Sequence, residues 1–483
     1  MQDAQKSLHY AVRLKTLAKY LGLLALMLAC LTLVPLAVSI WFGEYELSKR
    51  YLIVILLLIA AGLPSLRLQH PPDVQHNESL GITALAFIIT PLIMTYPMMG
   101  SGLSFIDAWF EAVSAVTTTG LSTVANLEQM PQTFLFARAW MQWYGGLGIV
   151  VLSVAILMNH HIALRRLINP AGESMVSTTR IYARRVLAVY VVLTLIGFGI
   201  LMLLLDDSFI ALTHTLAAVS TGGFSPLNNS LAGLPWQVQF GISLLSLCGA
   251  IPFILYYRLA RGGWREAWTD IEVRALLAIT LLLCLLLTLS LTTQSGMSWQ
   301  TAAQHGFLLG ISAQTTTGFA SLDLGDLSGI SLGLLMLGMV IGGGVGSTAG
   351  GFKILRLLIL LRLIQQLLQR TAMPAHAVSQ PRLGNKTLEN DEIERALLLI
   401  ILFLLVIVVS WLIFLSYGHA PLAALFEVIS ATATVGLSSG LSSQQLEPVL
   451  KGVLCIDMLL GRLEIIALLV VLYPGTWLGK RME

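Results

Sequence analysis

Four short stretches carry the residue types in this sequence best suited to chemistry, and that chemistry is cation coordination. They read Ser114-Ala115-Val116-Thr117-Thr118-Thr119-Gly120-Leu121-Ser122, Ala217-Ala218-Val219-Ser220-Thr221-Gly222-Gly223-Phe224-Ser225, Ser312-Ala313-Gln314-Thr315-Thr316-Thr317-Gly318-Phe319-Ala320 and Ser430-Ala431-Thr432-Ala433-Thr434-Val435-Gly436-Leu437-Ser438. An Ala stands five residues before the last Gly of each copy, and Leu or Phe follows that Gly. The copies recur at intervals of roughly a hundred residues, which marks an internal repeat. Thr supplies carbonyl and hydroxyl oxygens, and Gly permits the positive φ that turns carbonyls towards an axis. Four such turns around one axis present rings of oxygens that replace a cation's hydration shell. The filter residues on this reading are Thr117, Thr118, Thr119 and Gly120; Ser220, Thr221, Gly222 and Gly223; Thr315, Thr316, Thr317 and Gly318; and Ala433, Thr434, Val435 and Gly436. The paired glycines of the second copy leave its register open by one residue. Four interfacial helices ending in Thr/Gly turns are the alternative, and the alignment of all four copies between paired apolar runs favours the pore.

Two further features stand out inside apolar runs. Gly342-Gly343-Gly344-Val345-Gly346-Ser347-Thr348-Ala349-Gly350-Gly351 interrupts one run, and Arg462 interrupts another. A phosphate loop is excluded, because Gly350-Gly351-Phe352-Lys353 lacks the Gly-Lys-Ser/Thr that such a loop requires. Small residues let backbone unwind and cross a pore, so Gly342, Gly343, Gly344, Gly346, Gly350 and Gly351 are read as a gate, with a plain helix kink as the alternative. Arg462 is either an electrostatic barrier beneath the filter or half of an ion pair with Asp457 or Glu464. Glu111, His214 and Glu427 stand nine residues before the filter Gly in three copies, where the third copy has Leu309. They either brace the turns or attract cations from the outer solvent, and the mixed residue types favour bracing. His160 and His161 read as solvated residues at a helix end. No HExxH, paired-Asp or Ser/His/Asp constellation occupies the runs, so an intramembrane enzyme is disfavoured.

The elements that must position these turns are membrane spans. Of 483 residues, 56% are hydrophobic and 11% charged, against about 25% charged in soluble domains. Mean hydropathy is +0.82, which leaves too little charge to clothe a soluble surface. The fold class is an all-α polytopic membrane protein. Ten apolar runs are legible, at 20–42, 51–66, 80–97, 134–158, 186–205, 236–257, 273–292, 329–365, 395–416 and 449–473, and only the eighth is expected to break. The first is too long for a cleaved signal peptide and reads as an uncleaved helix. Cys30, Cys248, Cys284 and Cys455 lie in apolar runs without metal or disulfide spacing and read as small buried hydrophobes. A net charge of +3 gives no case for nucleic acid.

Segments 98–137, 206–235, 293–328 and 417–450 hold neither Lys nor Arg. The alternating segments are basic, with Arg165, Arg166, Arg180, Arg184 and Arg185, then Arg258, Arg261, Arg265 and Arg274, then Lys353 through Arg395. The positive-inside rule places these segments and both termini in the cytoplasm. The chain then divides into an N-terminal pair of helices (1–75) and four units at 76–185, 186–272, 273–394 and 395–483, each a helix, a re-entrant pore loop and a second helix.

Four such units with single-Gly filters resemble the Trk/Ktr/HKT superfamily of potassium transporters. Gln142-Trp143-Tyr144-Gly145-Gly146-Leu147-Gly148-Ile149, the Gly342–Gly351 interruption and Gly461-Arg462-Leu463-Glu464 add to the resemblance. The extra N-terminal pair is similar to the TrkH/TrkG type of membrane subunit. The resemblance implies potassium uptake at the bacterial inner membrane with potassium ion as substrate and no cofactor in this chain. It implies Arg462 facing the pore, a homodimer with a pore in each subunit, and a cytosolic TrkA-like nucleotide-binding ring on the basic face. A Ser in place of the first filter Gly accompanies sodium transport in that superfamily, so Gly120 points to potassium. A sodium-permissive or ion-coupled transporter of the same architecture is the alternative.

Overall fold

Where no water can satisfy the backbone, an apolar run must satisfy its own N–H and C=O groups, and it folds as a helix. The computed structural model describes residues 11–69, 74–158, 175–260, 262–263, 268–372, 374, 380–384 and 386–478. Among them it contains seventeen α-helices and one two-residue hairpin. The first two helices, α1 (Leu14–Trp41) and α2 (Tyr45–Leu66), form an antiparallel pair ahead of the repeated part. Lys19 Nζ closes the α2 C-terminus by donating to Ser65 O at 2.9 Å, where a cation meets the negative end of the helix dipole.

Four units of similar design follow. The first is α3 (His76–Met98), the short α4 (Phe105–Val116) and α5 (Gln132–Met158). The second is α6 (Met175–Leu204), the short α7 (Ser208–Val219), α8 (Trp236–Ala250) and α9 (Phe253–Ala260). The third is α10 (Ile271–Gln294), the short α11 (Trp299–Gln314), α12 (Gly329–Ile341) and α13 (Ile354–Arg370). A hairpin of β1 (Arg382–Leu383) and β2 (Lys386–Thr387) leads to the fourth: α14 (Asn390–Ser416), the short α15 (Pro421–Thr432), α16 (Pro448–Arg462) and α17 (Ile466–Leu472). Among the described residues, six helices are each long and apolar enough to cross a membrane, namely α1, α2, α3, α6, α10 and α14. The remaining runs are broken helices, except α5, which reaches the edge of the described residues.

Breaks in two runs correct the sequence reading. The run 236–257 is expected to be continuous, yet α8 and α9 meet at 93°. Ile251 precedes Pro252 and is extended, with ψ 140°, because the proline ring disfavours helical backbone at the residue before it. The run 449–473 also breaks. Helix α16 ends at Arg462, and Glu464 and Ile465 take left-handed φ of 51° and 62°. A β-branched residue there is a true outlier, and nothing in the sequence announces it. The break in 329–365 falls where expected, with α12 stopping at Gly342 and the chain becoming helical again at Ile354.

The four short helices form the centre of the molecule. Ala108, Phe110, Ala112, Val113 and Ala115 of α4, and Ala424, Phe426, Val428 and Ala431 of α15, are all fully buried. The polar residues these two helices carry, Asp107, Glu111 and Ser114 in one and Glu427, Ser430 and Thr432 in the other, are buried with them, so both helices lie inside the protein. Capping fixes three of their starts: Ser104 accepts from Asp107 N, Asp207 from Phe209 N and Ile210 N, and Ser298 from Thr301 N. Pro421 opens the fourth, where its fixed φ suits a first helical turn. Of the cysteines, Cys284 and Cys455 are buried as expected, Cys248 is partly exposed and Cys30 faces outward on α1. His160, His161, Arg165, Arg166, Arg261 and Arg265 lie outside the described residues.

Candidate functional site

Each short helix ends in the same backbone knot. In the first unit Thr118 N donates to Ala115 O at 3.0 Å and Thr119 N to Ser114 O at 2.9 Å. The second unit repeats this with Thr221 N to Ala218 O and Gly222 N to Ala217 O. The third has Thr316 N to Ala313 O and Thr317 N to Ser312 O, the fourth Thr434 N to Ala431 O and Val435 N to Ser430 O. This is a Schellman C-cap, whose left-handed position is ordinarily glycine. Here it is threonine every time: Thr118, Thr221, Thr316 and Thr434 have φ of 54°, 51°, 55° and 52°. The Ala that stands five residues before the last Gly of each copy is the acceptor of one of the two knot bonds, and it is fully buried in every unit.

The knot settles the register of the second loop. Thr221 takes the left-handed role of Thr118, so Gly223 corresponds to Gly120 and Gly222 to Thr119. Gly120, Gly223, Gly318 and Gly436 all have positive φ, between 72° and 100°. They also lie in one closed cycle. A β-carbon on Gly120 would strike the carbonyl oxygen of Gly222, and on Gly223 that of Thr317. On Gly318 it would strike that of Val435, and on Gly436 that of Thr119. Each loop backs onto the next, and the fourth returns to the first.

Hydroxyl groups in this ring mostly face the protein. Thr117, Ser220 and Thr315 donate back to Val113 O, Leu216 O and Ile311 O at 2.7, 2.8 and 2.7 Å. Thr119 and Thr317 bond to Thr117 and Thr315 in their own loops, at 2.8 and 2.7 Å. Ala433 and Val435 have no hydroxyl at all. The oxygens left to face an axis are the backbone carbonyls, with the hydroxyls of Thr118 and Thr434 buried and unpartnered among the described residues.

Behind the ring, the residues nine before each ring Gly act as braces. Glu111 accepts from Ser122 Oγ at 2.7 Å and Thr123 N at 2.8 Å, and pairs with buried Arg138 at 3.0 Å. Glu427 accepts from Ser438 Oγ, Ser439 N and Ser442 N at 2.9, 2.9 and 3.1 Å. His214 meets Ser225 Oγ at 3.1 Å. In the third unit, where Leu309 holds that place, His305 meets Ser321 Oγ at 2.8 Å instead. All three of Glu111, His214 and Glu427 are fully buried, so they hold the segment after each turn and do not face the outer solvent.

The glycine-rich stretch lies directly against the ring. Gly350 N donates to Thr316 Oγ1 at 2.6 Å and Gly351 N to Ala433 O at 3.0 Å. Thr348 Oγ1 donates to Gly249 O at 2.9 Å and Val219 O at 3.2 Å. Gln314 Nε2 donates to Gly342 O at 2.6 Å, and Glu272 accepts from Val345 N at 2.8 Å. The loop therefore bridges units two, three and four. Arg462 completes the set, with Nη1 donating to Thr348 O at 2.7 Å while Nε and Nη2 have no partner among the described residues. Neither of the alternative ion pairs forms. Asp457 accepts from Ser410 Oγ at 2.7 Å, and Glu464 pairs with Arg356. The break after Arg462 turns Glu464 away from it, which leaves the guanidinium to the loop.

Sequence reasoning assigns no role to Gln142, Arg138, Glu272 or the buried pair Lys451–Asp107, which are 2.6 Å apart in the last case. Each is a polar residue in or beside an apolar run, and that polarity is the available signal.

The family TrkH, described as a cation transport protein, matches residues 48–474. An uncharacterized cation transporter of Methanocaldococcus jannaschii is 30% identical over 93% of this chain and 94% of its own length. The Trk system potassium uptake protein TrkI of Halomonas elongata is 30% identical over 99% of this chain and all of its own. Among solved structures, the crystal structure of the potassium transporter TrkH from Vibrio parahaemolyticus superposes with a TM-score of 0.87, at 26% identity over 97% of this chain and 100% of that one.

Proposed function

This chain belongs to the TrkH family of cation transport proteins, and from that premise we propose that it takes up potassium through the ring of four Thr/Gly loops. The observation that carries the reading is the closed cycle in which each filter glycine backs onto the carbonyl of the next loop. Carbonyl oxygens held at a ring of positive-φ turns are the chemistry that replaces the hydration shell of a large monovalent cation. Naming of relatives as potassium uptake proteins agrees with this.

The glycine-rich loop and Arg462 are the barrier to that path. The loop obstructs it and the guanidinium, anchored on Thr348 O, repels cations. The four units at 76–185, 186–272, 273–394 and 395–483 each supply one filter strand, and the pair within 1–75 stands outside the ring. The protein sits in the bacterial inner membrane with both termini in the cytoplasm. It works as a homodimer, and a cytosolic TrkA-like nucleotide-binding ring moves the loop aside. The test is growth of an uptake-deficient bacterium on limiting potassium, paired with rubidium and sodium flux into liposomes holding the purified chain. Rescue with rubidium flux exceeding sodium flux is expected. Equal sodium flux selects the sodium-permissive alternative, dependence on a sodium or proton gradient selects coupled transport, and no flux of either ion refutes transport.

A further inference from the structure

The second filter loop lacks what holds the others in shape. In loops one and three the third residue is Thr, and its hydroxyl bonds to the first residue of the same loop. In loop four that place is Val435, whose branched side chain is fully buried. In loop two it is Gly222, with no side chain to pack or bond.

A residue from the neighbouring unit fills that place. Gln142, on α5 of unit one, is completely buried. Its Oε1 accepts from Phe224 N at 3.2 Å, and its Nε2 donates to Gly222 O. The orientation of the amide is fixed by chemistry, since Phe224 N can only donate and must meet the oxygen. A β-carbon on Gly222 would land on the Gln142 amide itself, so the missing side chain and the intruding one are complementary in space. One turn earlier on the same face, Arg138 lies over the Phe224 ring at 3.8 Å. The equivalent helix positions in the other units carry nothing similar. Gly145, Gly249 and Gly461 pack on the carbonyls of Val116, Val219 and Thr432 at the ends of the short helices, and Gly338 packs beside Gln314 N. Three residues before these glycines stand Gln142, Ser246, Met458 and Leu335. Gln142 is the one amide in the set.

Gly222 O is the oxygen that backs onto Gly120 in the ring. We infer that Gln142 is a positioning residue for ion selectivity, which reaches across the unit boundary to hold the Gly222 carbonyl in the filter ring in place of the side chain that loop two lacks. The inference rests on the reading of the four turns as a potassium filter. A glycine with no side-chain tether samples more backbone conformations than any other residue, and a carbonyl free to swing would accept the shorter oxygen distances of sodium. The Gln142 amide removes that freedom.

The test compares rubidium-over-sodium selectivity in liposomes for the full-length chain and its variants. Gln142→Met fills a similar volume, cannot donate to the Gly222 carbonyl and is only a weak acceptor for Phe224 N. Both hydrogen bonds of the amide are lost, and the one to the Gly222 carbonyl sets the expected effect: selectivity falls about tenfold, with rubidium flux retained. A swap supplies the second arm. Gly222→Thr alone is expected to lose flux, because its side chain meets Gln142. Gly222→Thr combined with Gln142→Ala frees that space and lets the introduced hydroxyl bond to Ser220 as Thr119 does to Thr117. Selectivity is then expected to recover above that of Gln142→Ala. Gly318→Ser, in a loop that Gln142 does not touch, is the control. Parental selectivity in Gln142→Met alongside lost selectivity in Gly318→Ser overturns the role of Gln142 and leaves the filter intact. Unchanged selectivity in both overturns the filter reading, and this inference with it. Should Gln142→Met fail to accumulate, absence of recovery in the swap overturns the proposal.

Discussion

At the scale of single residues, the site is built from backbone conformations that its side chains resist. Thr118, Thr221, Thr316 and Thr434 occupy the left-handed region, at about 1–2 kcal/mol each relative to glycine. Such strain persists only where surroundings over-determine it, and here two knot hydrogen bonds and full burial do so. The ring glycines cannot be replaced in the same way. A serine introduced at Gly318 meets both a φ of 83° and the Val435 carbonyl. Gly318→Ser is therefore expected to displace one ring oxygen and to lower rubidium-over-sodium selectivity at least tenfold, with the protein still inserted in the membrane. Competition of sodium against rubidium uptake measures it, and an unchanged ratio removes these turns as the filter.

At the scale of elements, the decisive one is the loop between α12 and α13. It is a compact loop whose ends touch: a β-carbon on Gly351 would sit 2.8 Å from the Gly342 Cα, and one on Gly343 would meet the Ala349 Cβ. Removing 344–348 therefore rejoins residues that are already neighbours, and α12 and α13 need not move. This deletion also removes the partners of Arg462 Nη1, Glu272 and Gly249 O. Basal rubidium flux without any regulatory partner is expected to rise severalfold. Arg462→Ala is expected to raise it too, since its contact to Thr348 O is worth about 1.5–3 kcal/mol for a charged donor. Flux normalised to inserted protein is the measurement. If both variants insert normally and conduct no better than the parent, the loop and the arginine are structural.

At the scale of the whole molecule, the four units form a ring from one chain, and three of its four junctions are joined covalently. Unit four meets unit one without a peptide link. Lys451 on α16 bridges that junction, donating to Asp107 Oδ1 at 2.6 Å and Gln444 O at 2.8 Å, with both charges almost fully buried. Loss of one partner strands the other charge inside the protein. Lys451→Met is expected to destabilise the chain by roughly 3–5 kcal/mol, whereas Lys451→Met with Asp107→Leu removes both charges and recovers most of that. Thermal unfolding in detergent distinguishes the two, and equal midpoints for the single and double variants exclude the pair as the clasp of the ring.

Hydropathy and repetition alone determined the helical membrane fold, the four Thr/Gly turns and the interruption of the third unit. These are legible because a span is a local property of about 20 residues and because each repeat can be compared with its three siblings. Tertiary structure decided what depends on residues far apart in sequence. It fixed the register of Ser220-Thr221-Gly222-Gly223, since the left-handed position is occupied by Thr221 in a knot made with α7. It gave Arg462 to Thr348 in place of Asp457 or Glu464, because Ile465 is forced into a left-handed turn that no local propensity favours. It set Gln142 against Gly222, 80 residues away. A polar side chain inside an apolar run announces that it needs a partner. Which partner it finds is settled only when the units close on one another.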